Sequence, residues 1–508
     1  MAAHYTSELP VHLYKAAGVR ELDRVAIQAQ GIPGFDLMSR AGLAAFTLLR
    51  ERWPHARRIT VFCGVGNNGG DGYVIAALAE KAGLDAQVLQ VGDTARTQGD
   101  ALLALEQARH AGVPCAPFED QPLVADVIVD ALLGTGLSGS VRAEYSVAID
   151  AINQSGCPVL AVDIPSGLCA DTGSVLGNVV QADTTITFIG MKQGLLTGQA
   201  PDYCGDILFA GLDVPDVVFN AVPVETYRIA SRQVRTWVPP RPRTAHKGGN
   251  GHVLVVGGDH GMGGAVAMAA EAAGRVGAGL VSVVTRPEHV APILARRPEC
   301  MVQGTEDLSG PLQRATVVVV GPGLGQNDWG QRLLGQALAS RLPLVVDADA
   351  LNLLAGWHRQ GDPLARRGNW ILTPHPGEAA RLLADSSGED TAKIQANRFD
   401  SIHTLQQQYD ATVVLKGAGS LIAGPLGTWL SCSGNPGMAS GGMGDVLSGV
   451  IGGLLAQGLT LEQAAAAGVW IHGTAADTVT RTRGERGLMA TDLMPWLQRA
   501  VNGFEGGA

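Results

Sequence analysis

Short runs of β-branched and aliphatic residues, each leading through a glycine-rich turn into a helix-like stretch, recur along this chain and limit its fold more than any other feature. In the first half they fall at 58–63, 85–91, 126–130, 158–163 and 184–189; in the second at 252–258, 280–285, 316–321, 343–347, 370–373 and 412–416. Apolar strands of this length alternating with helices specify mostly parallel, doubly wound sheets. Residues 14–52 precede the first run as two helical patterns parted by the turn Gly31-Ile32-Pro33-Gly34. Between about Asp213 and Gly249 the rhythm lapses into proline-rich sequence, including Trp237-Val238-Pro239-Pro240-Arg241-Pro242. A domain junction is expected there, giving two α/β domains at 1–225 and 226–508, each with its own sheet.

The remaining totals exclude more than they assign. A chain of 508 residues, 46% apolar and 17% charged, can bury several cores. A net charge of −10 argues against a general nucleic-acid surface, and the cluster Arg228, Arg232, Arg235, Arg241, Arg243 and Lys247 reads as a solvated linker. The seven cysteines occur singly without CxxC spacing, as buried thiols in a reducing compartment would. No stretch approaches ~18 consecutive apolar residues and the first residues lack a secretory pattern, so the expected location is the cytoplasm, away from membranes.

Two loops of the first half satisfy GxGxxG: Gly64, Gly66 and Gly69 after the run 58–63, and Gly134, Gly136 and Gly139 after the run ending at Asp130. Paired at consecutive strand ends they suggest loops flanking one dinucleotide-sized crevice, though tight turns without a ligand produce the same pattern. Asp163, in Ala161-Val162-Asp163-Ile164-Pro165-Ser166-Gly167, ends a third strand. Asn68, Asp130, Asp163 and Ser166 could therefore converge at one sheet edge. Their oxygens suit a hard cation, a carboxylate there could move a proton, and all four could equally be turn and helix caps.

The second half carries Gly434-Asn435-Pro436-Gly437-Met438-Ala439-Ser440-Gly441-Gly442-Met443-Gly444-Asp445, a glycine loop entering an apolar helical segment. Converging backbone N–H groups at a helix N-terminus suit phosphate. Asp445 is then either a cap or a base that deprotonates a hydroxyl about to receive a phosphoryl group. Lys416-Gly417-Ala418-Gly419-Ser420 ends a strand with a cation and free N–H groups, and Gly321-Pro322-Gly323-Leu324-Gly325 and Thr373-Pro374-His375-Pro376-Gly377-Glu378 also terminate strands. His375 is either functional or an ordinary loop histidine. GxxxxGK[ST] is absent, which excludes a Walker-type site.

With NNGGDG at 67–72, DALLGTGL at 130–137, DIPSG at 163–167, HKGGNGHVLVVGG at 246–258, GPGLG at 321–325, DADALN at 347–352, TPHPGE at 373–378, KGAGS at 416–420 and NPGMASGGMGDVLSG at 435–449, the chain resembles the bifunctional NAD(P)H-hydrate repair enzymes. The resemblance implies a Rossmann-like epimerase domain followed by a ribokinase-like, ADP- or ATP-dependent dehydratase domain. It implies Asp163 as the proton-transfer residue of the epimerase, K+ held by Asn68, Asp130 and Ser166, and hydrate lined by Asn67, Asn68, Gly69, Gly70, Asp71, Gly134, Thr135, Gly136, Leu137, Ser138, Gly139, Ser140 and Tyr145. In the dehydratase it implies hydrate binding by Ala265, Gly325, His375 and Asp445, the last as base. Nucleotide with Mg2+ would meet Lys416, Gly417, Ala418, Gly419, Ser420 and Gly444. The expected partners are NADH hydrate, NADPH hydrate, ADP or ATP, and further copies of the chain in a homo-oligomer. Two departures stand out: Met443 where related loops often carry threonine, and Ser39 where many relatives have an acidic residue. The competing expectation is a small-molecule kinase fused to a non-catalytic dinucleotide-binding module.

Overall fold

The computed structural model describes residues 4–387 and 390–503; positions 1–3, 388–389 and 504–508, including the outer ends of both expected domains, lie outside the described residues. Two compact units make up the chain, Met1–Tyr227 and Arg228–Ala508. No helix among the described residues is long and apolar enough to cross a membrane.

The first unit is built on seven parallel strands in the spatial order Cys115–Pro117, Asp85–Gln90, Arg58–Cys63, Val127–Ala131, Val159–Val162, Thr184–Phe188 and Asp206–Ala210. Alternate side chains of each strand face opposite layers, as the two-residue period requires. Val61, Val129 and Val162 pack with the helices Ala16–Gln28, Gly34–Arg52, Asn67–Lys81 and Asp100–His110, while Phe62, Ile128 and Ala161 pack with Ala143–Gln154. The helix after Arg58–Cys63 begins at Asn67, within the glycine-rich stretch 64–72. Its glycines oppose helix formation by propensity, but Gly72 lies so close to the sheet that a Cβ would sit 2.7 Å from Ala131 Cβ and Cys63 Sγ. Close packing overrides propensity here. The short strands His12–Tyr14 and Met191–Lys192 pair in parallel beside this sheet, with Tyr14 opposite Lys192, and were not legible as strands because two or three residues carry no periodicity.

In the second unit, Met301–Gly304, Leu280–Thr285, His252–Val256, Val317–Val320, Leu344–Val346, Trp370–Leu372 and Thr412–Leu415 lie side by side in parallel. The antiparallel hairpin Ser420–Gly424 and Gly427–Ser431 extends the sheet. Over one face cross the helices Gly263–Arg275 and Met443–Ala456, whose backbones nearly touch: a Cβ at Gly449 would fall 2.1 Å from the Ala269 carbonyl oxygen. Such an approach brings the N-termini of both helices to the carboxyl edge of the sheet.

Candidate active sites

In the first unit the strand order reverses between Arg58–Cys63 and Val127–Ala131, so the loops leaving these two strands diverge and open a crevice at the carboxyl edge. A cleft of about 600 Å3 occupies it, lined by Asn67, Asn68, Asp71, Gly134, Thr135, Gly136, Leu137, Ser138, Ser140, Tyr145 and Asp163 among others. Gly69, Gly70 and Gly139 do not belong to its lining. The first two serve close packing instead: a Cβ at Gly69 would lie 2.0 Å from the Gly64 carbonyl oxygen, and one at Gly70 2.5 Å from Met38 Cε. Gly139 takes a turn with φ of 74°.

Asp163 follows its strand in the left-handed region, with φ of 69°, a conformation that costs a non-glycine residue energy and is characteristic of functional turns. The turn aims its carboxylate at the cleft floor, where Oδ1 accepts from the ammonium of Lys192 and from Phe188 N at 3.3 Å. Lys192 is completely buried, and its remaining donors go to Thr187 Oγ1 at 2.9 Å and the Phe188 carbonyl at 3.2 Å. Asp23, from the first helix, enters the same floor, and burial pushes its carboxyl up to about 6. Neither Lys192 nor Asp23 was found from the sequence. Lys192 offered a signal, one charge inside an apolar run after a strand; Asp23 lies far in sequence from Asp163 and Lys192 and offered none.

Asp130 is fully buried at the end of the neighbouring strand, and burial raises its carboxyl to about 6 against the pull of Ser166, whose hydroxyl donates to it at 2.6 Å and whose N–H donates at 2.8 Å. Gly134 packs on Asn68, so that a Cβ there would stand 3.3 Å from Asn68 Cβ. Both polar atoms of the Asn68 side chain are buried without a hydrogen-bond partner. An orphaned amide oxygen and a buried carboxylate form a donor set that fits a large monovalent or other hard cation.

The second site gathers the carboxyl ends of four adjacent strands. Asp347 follows Leu344–Val346, the segment 373–378 follows Trp370–Leu372, and Lys416 follows Thr412–Leu415; the GPGLG loop follows Val317–Val320. Lys416, expected among nucleotide phosphates, has its ammonium drawn 2.9 Å from Asp347 Oδ1 and 3.7 Å from Glu378 Oε2. Asp347 is 1% exposed, and Ser448 Oγ donates to its other oxygen at 2.5 Å. Burial alone would raise the Asp347 carboxyl, but Lys416 and Ser448 outweigh it and hold the group low. A Cβ at Gly444 would meet Lys416 Nζ at 3.3 Å, which places that lysine at the glycine loop's helix end.

Gly442 caps the helix Met443–Ala456 with φ of 88°, so the N–H groups of its first turn point outward with no intrahelical acceptor. Asp445 stands in that first turn, and burial, then Asp347, push its carboxyl up to about 7, against the opposing pull of Lys416. Met443 is buried in the core beneath and itself offers no hydroxyl to an anion there. Gly325 comes from the GPGLG loop and Ala265 from the first turn of the helix Gly263–Arg275: Gly325 N donates to Asp349 Oδ2 at 2.9 Å, and Gly323 lies against Ala265, where its Cβ would be 3.2 Å away. Beside them, Gly264, Met268 and His289 line a cleft of about 390 Å3.

His375 Nδ1 accepts from Gly377 N at 3.0 Å and Glu378 N at 3.3 Å, capping the helix Pro376–Ser387, while Glu378 returns a bond to His375 N. The ring is therefore both a cap and, half exposed, part of the site wall. Gly417 has φ of 143° and lies against buried Arg398, which holds the carbonyls of Leu415 and Lys416 at 3.1 and 3.3 Å and so sets the curl of the 416–420 loop. Asp347 was overlooked as a site residue, although DADALN opens directly after a strand.

A switch-point crevice floored by carboxylates and a buried ammonium, joined in one chain to a glycine loop at a helix end with a carboxylate beside it, defines a two-site α/β enzyme with a ribokinase-like second unit. A family model described as NAD(P)H-hydrate dehydratase matches residues 253–499, and one described as YjeF-related protein N-terminus matches 34–194. The bifunctional NAD(P)H-hydrate repair enzyme of Coxiella burnetii is 51% identical over 495 residues, covering 96% of this chain and 99% of that protein; the one of Escherichia coli is 46% identical, covering 97% and 95%. A ribokinase-like superfamily protein from Enterococcus faecalis, 29% identical with a TM-score of 0.50, overlies 55% of this chain and 96% of its own. The chain belongs to the bifunctional NAD(P)H-hydrate repair enzymes.

Proposed function

We propose that the first unit interconverts the R and S hydrates of NADH and NADPH, and that the second dehydrates the S hydrate in a reaction driven by ADP or ATP. The observation that carries the second half is the position of Asp445. A carboxyl raised to about 7 beside an anion-binding helix end is partly ionised at neutral pH and stands where a hydroxyl would approach a phosphoryl group. Asp445 takes the proton of the hydrate hydroxyl as its oxygen attacks the terminal phosphorus of the nucleotide. The N–H groups at Gly442–Gly444 and the ammonium of Lys416 stabilise charge on the transferring group. The new phosphate ester is a good leaving group, and its loss with a ring proton restores the reduced ring. The loop Gly417, Ala418, Gly419 and Ser420 borders the nucleotide, Ala265, Gly325 and His375 border the hydrate, and Mg2+ would accompany the nucleotide phosphates.

In the first unit Asp163 exchanges the proton that lets the hydrated ring epimerise, with Asn67 to Asp71, the 134–140 loop and Tyr145 around the substrate. Arg20, Arg96 and Arg142 on the cleft lining give its outer part the charge that dinucleotide phosphates need. Asn68, Asp130 and Ser166 would hold K+, which supplies a fixed positive charge beside the substrate.

The test is to give the purified chain a mixture of both hydrates with ADP and with ATP, following reduced-nicotinamide absorbance, free phosphate and each epimer by chromatography. Complete consumption of both epimers with stoichiometric phosphate is expected. Accumulation of a stable phosphorylated product without regained absorbance would instead identify a small-molecule kinase.

A further inference from the structure

The floor of the first-unit cleft holds three carboxyl groups and one ammonium. Asp163 comes from the end of Val159–Val162, Asp23 from Ala16–Gln28, Asp71 from Asn67–Lys81 and Lys192 from Met191–Lys192, and all four line the same cleft. An ammonium has three hydrogens. Those of Lys192 are directed to Asp163 Oδ1, Thr187 Oγ1 and the Phe188 carbonyl, so none is left for Asp71 or Asp23. The Asp71 carboxyl makes no hydrogen bond or ion pair with any described residue, and the groups facing it are Asp163, Asp23 and Lys192 across the cleft floor and Cys63 on the strand beneath its helix. One cation cannot balance three adjacent carboxylates, and the one it touches is Asp163.

We propose that Asp71 is the general acid that partners Asp163, the general base, in the epimerisation, with Lys192 as the positioning residue that holds the Asp163 carboxylate. The inference rests on the epimerase reading of this unit and assigns the second proton that such a reaction needs. Burial, reinforced by Asp163 and Asp23, drives the Asp71 carboxyl well above its ordinary range, which favours its protonated form. Two like groups set apart by their surroundings in this way divide into an acid and a base.

The chemistry is balanced by these two groups alone. Water added across the C5–C6 double bond of a dihydronicotinamide leaves a hydroxyl on C6, next to ring nitrogen N1. Asp163 accepts the hydroxyl proton, the electron pair left on oxygen forms the second bond of the C6 carbonyl, the C6–N1 bond breaks, and N1 takes that bond's electron pair and the proton of Asp71. Rotation about C5–C6 presents the opposite face of the carbonyl. N1 then adds back to C6, the oxygen recovers a proton from Asp163, and Asp71 regains its own from N1. No oxidant, nucleotide or outside water takes part.

The experiment uses the full chain without nucleotide, one pure epimer as substrate and chromatography of the other as it forms, corrected for the uncatalysed rate, across a pH series. The wild type should show an alkaline limb, where Asp71 loses its proton. Asp71→Asn should lower kcat by about 10²- to 10⁴-fold with a smaller change in KM, and its residual rate should lack the alkaline limb. Asp71→Glu should recover part of the rate together with that limb. Lys192→Met should lower kcat with little change in KM, because Asp163 loses the ammonium that holds it in place. If Lys192→Met does not fold, the infrared band of a protonated carboxyl in the folded wild type at neutral pH, absent from Asp71→Asn, tests the same assignment. Wild-type kcat in Asp71→Asn, an unchanged alkaline limb or an unchanged infrared band would each overturn the acid role. Wild-type protein that fails to interconvert the epimers at all would overturn the epimerase reading instead, so the two failures are distinct.

Discussion

Replacing Asp445 by asparagine separates a base from a cap, because the two roles move rate and stability in different directions. As a base it contributes about two to four powers of ten to dehydration, or roughly 3 to 5 kcal/mol of barrier at 1.36 kcal/mol per tenfold. With the carboxyl at about 7, wild-type kcat should fall nearly tenfold between pH 8 and pH 6, and the residual rate of Asp445→Asn should lack this slope. Stability should respond the other way. A carboxyl raised from 3.8 to about 7 on folding favours the folded state less and less as pH climbs through that window, because the folded chain must bury the charge. The neutral asparagine removes this penalty, so the variant should melt higher than wild type at pH 8 and the gap should close as pH falls towards 4. If Asp445 only supported the helix N-terminus, losing its charge would cost about 0.3–1 kcal/mol and leave turnover intact. The assays are single-turnover recovery of reduced-nicotinamide absorbance with saturating nucleotide, and thermal melting at pH 5 and 8. Near wild-type turnover combined with a lower melting temperature at pH 8 would refute the argument.

Asp163→Asn should leave only the S hydrate consumable, the R hydrate persisting except for slow spontaneous interconversion; equal disappearance of both epimers at wild-type rates would make Asp163 structural. Lys416→Met should raise the nucleotide KM and also shift the acid limb of dehydration to higher pH, since removing the neighbouring cation pushes Asp445 further up. The same change strands Asp347 without its counter-ion, a loss of about 3–5 kcal/mol on breaking a buried pair, which denaturant titration should record; an unmoved limb and midpoint would contradict the placement. Asn68→Leu should weaken the K+ dependence of epimerisation measured at constant ionic strength, and an unchanged half-saturating K+ concentration would remove Asn68 from the cation site.

Local pattern alone determined the two α/β sheets, the places where strands end and the loops that follow them, because a strand of four to six apolar residues and the glycine turn after it are written in contiguous sequence. Placement of Asp445 before an apolar helix, of Asp163 after a strand and of the paired GxGxxG loops came from the same contiguity. Tertiary structure alone decided which charges meet. Asp23, Asp71, Asp163 and Lys192 belong to four elements spread over 170 residues, and Asp347, Lys416 and Ser448 to three spread over about a hundred. It also decided that Gly69 and Gly70 serve helix packing instead of facing the cleft, and that Lys416 answers first to Asp347. Each of these outcomes turns on the desolvation of a charge or the contact of two backbones, and both are set by burial between remote segments, which no local spacing encodes.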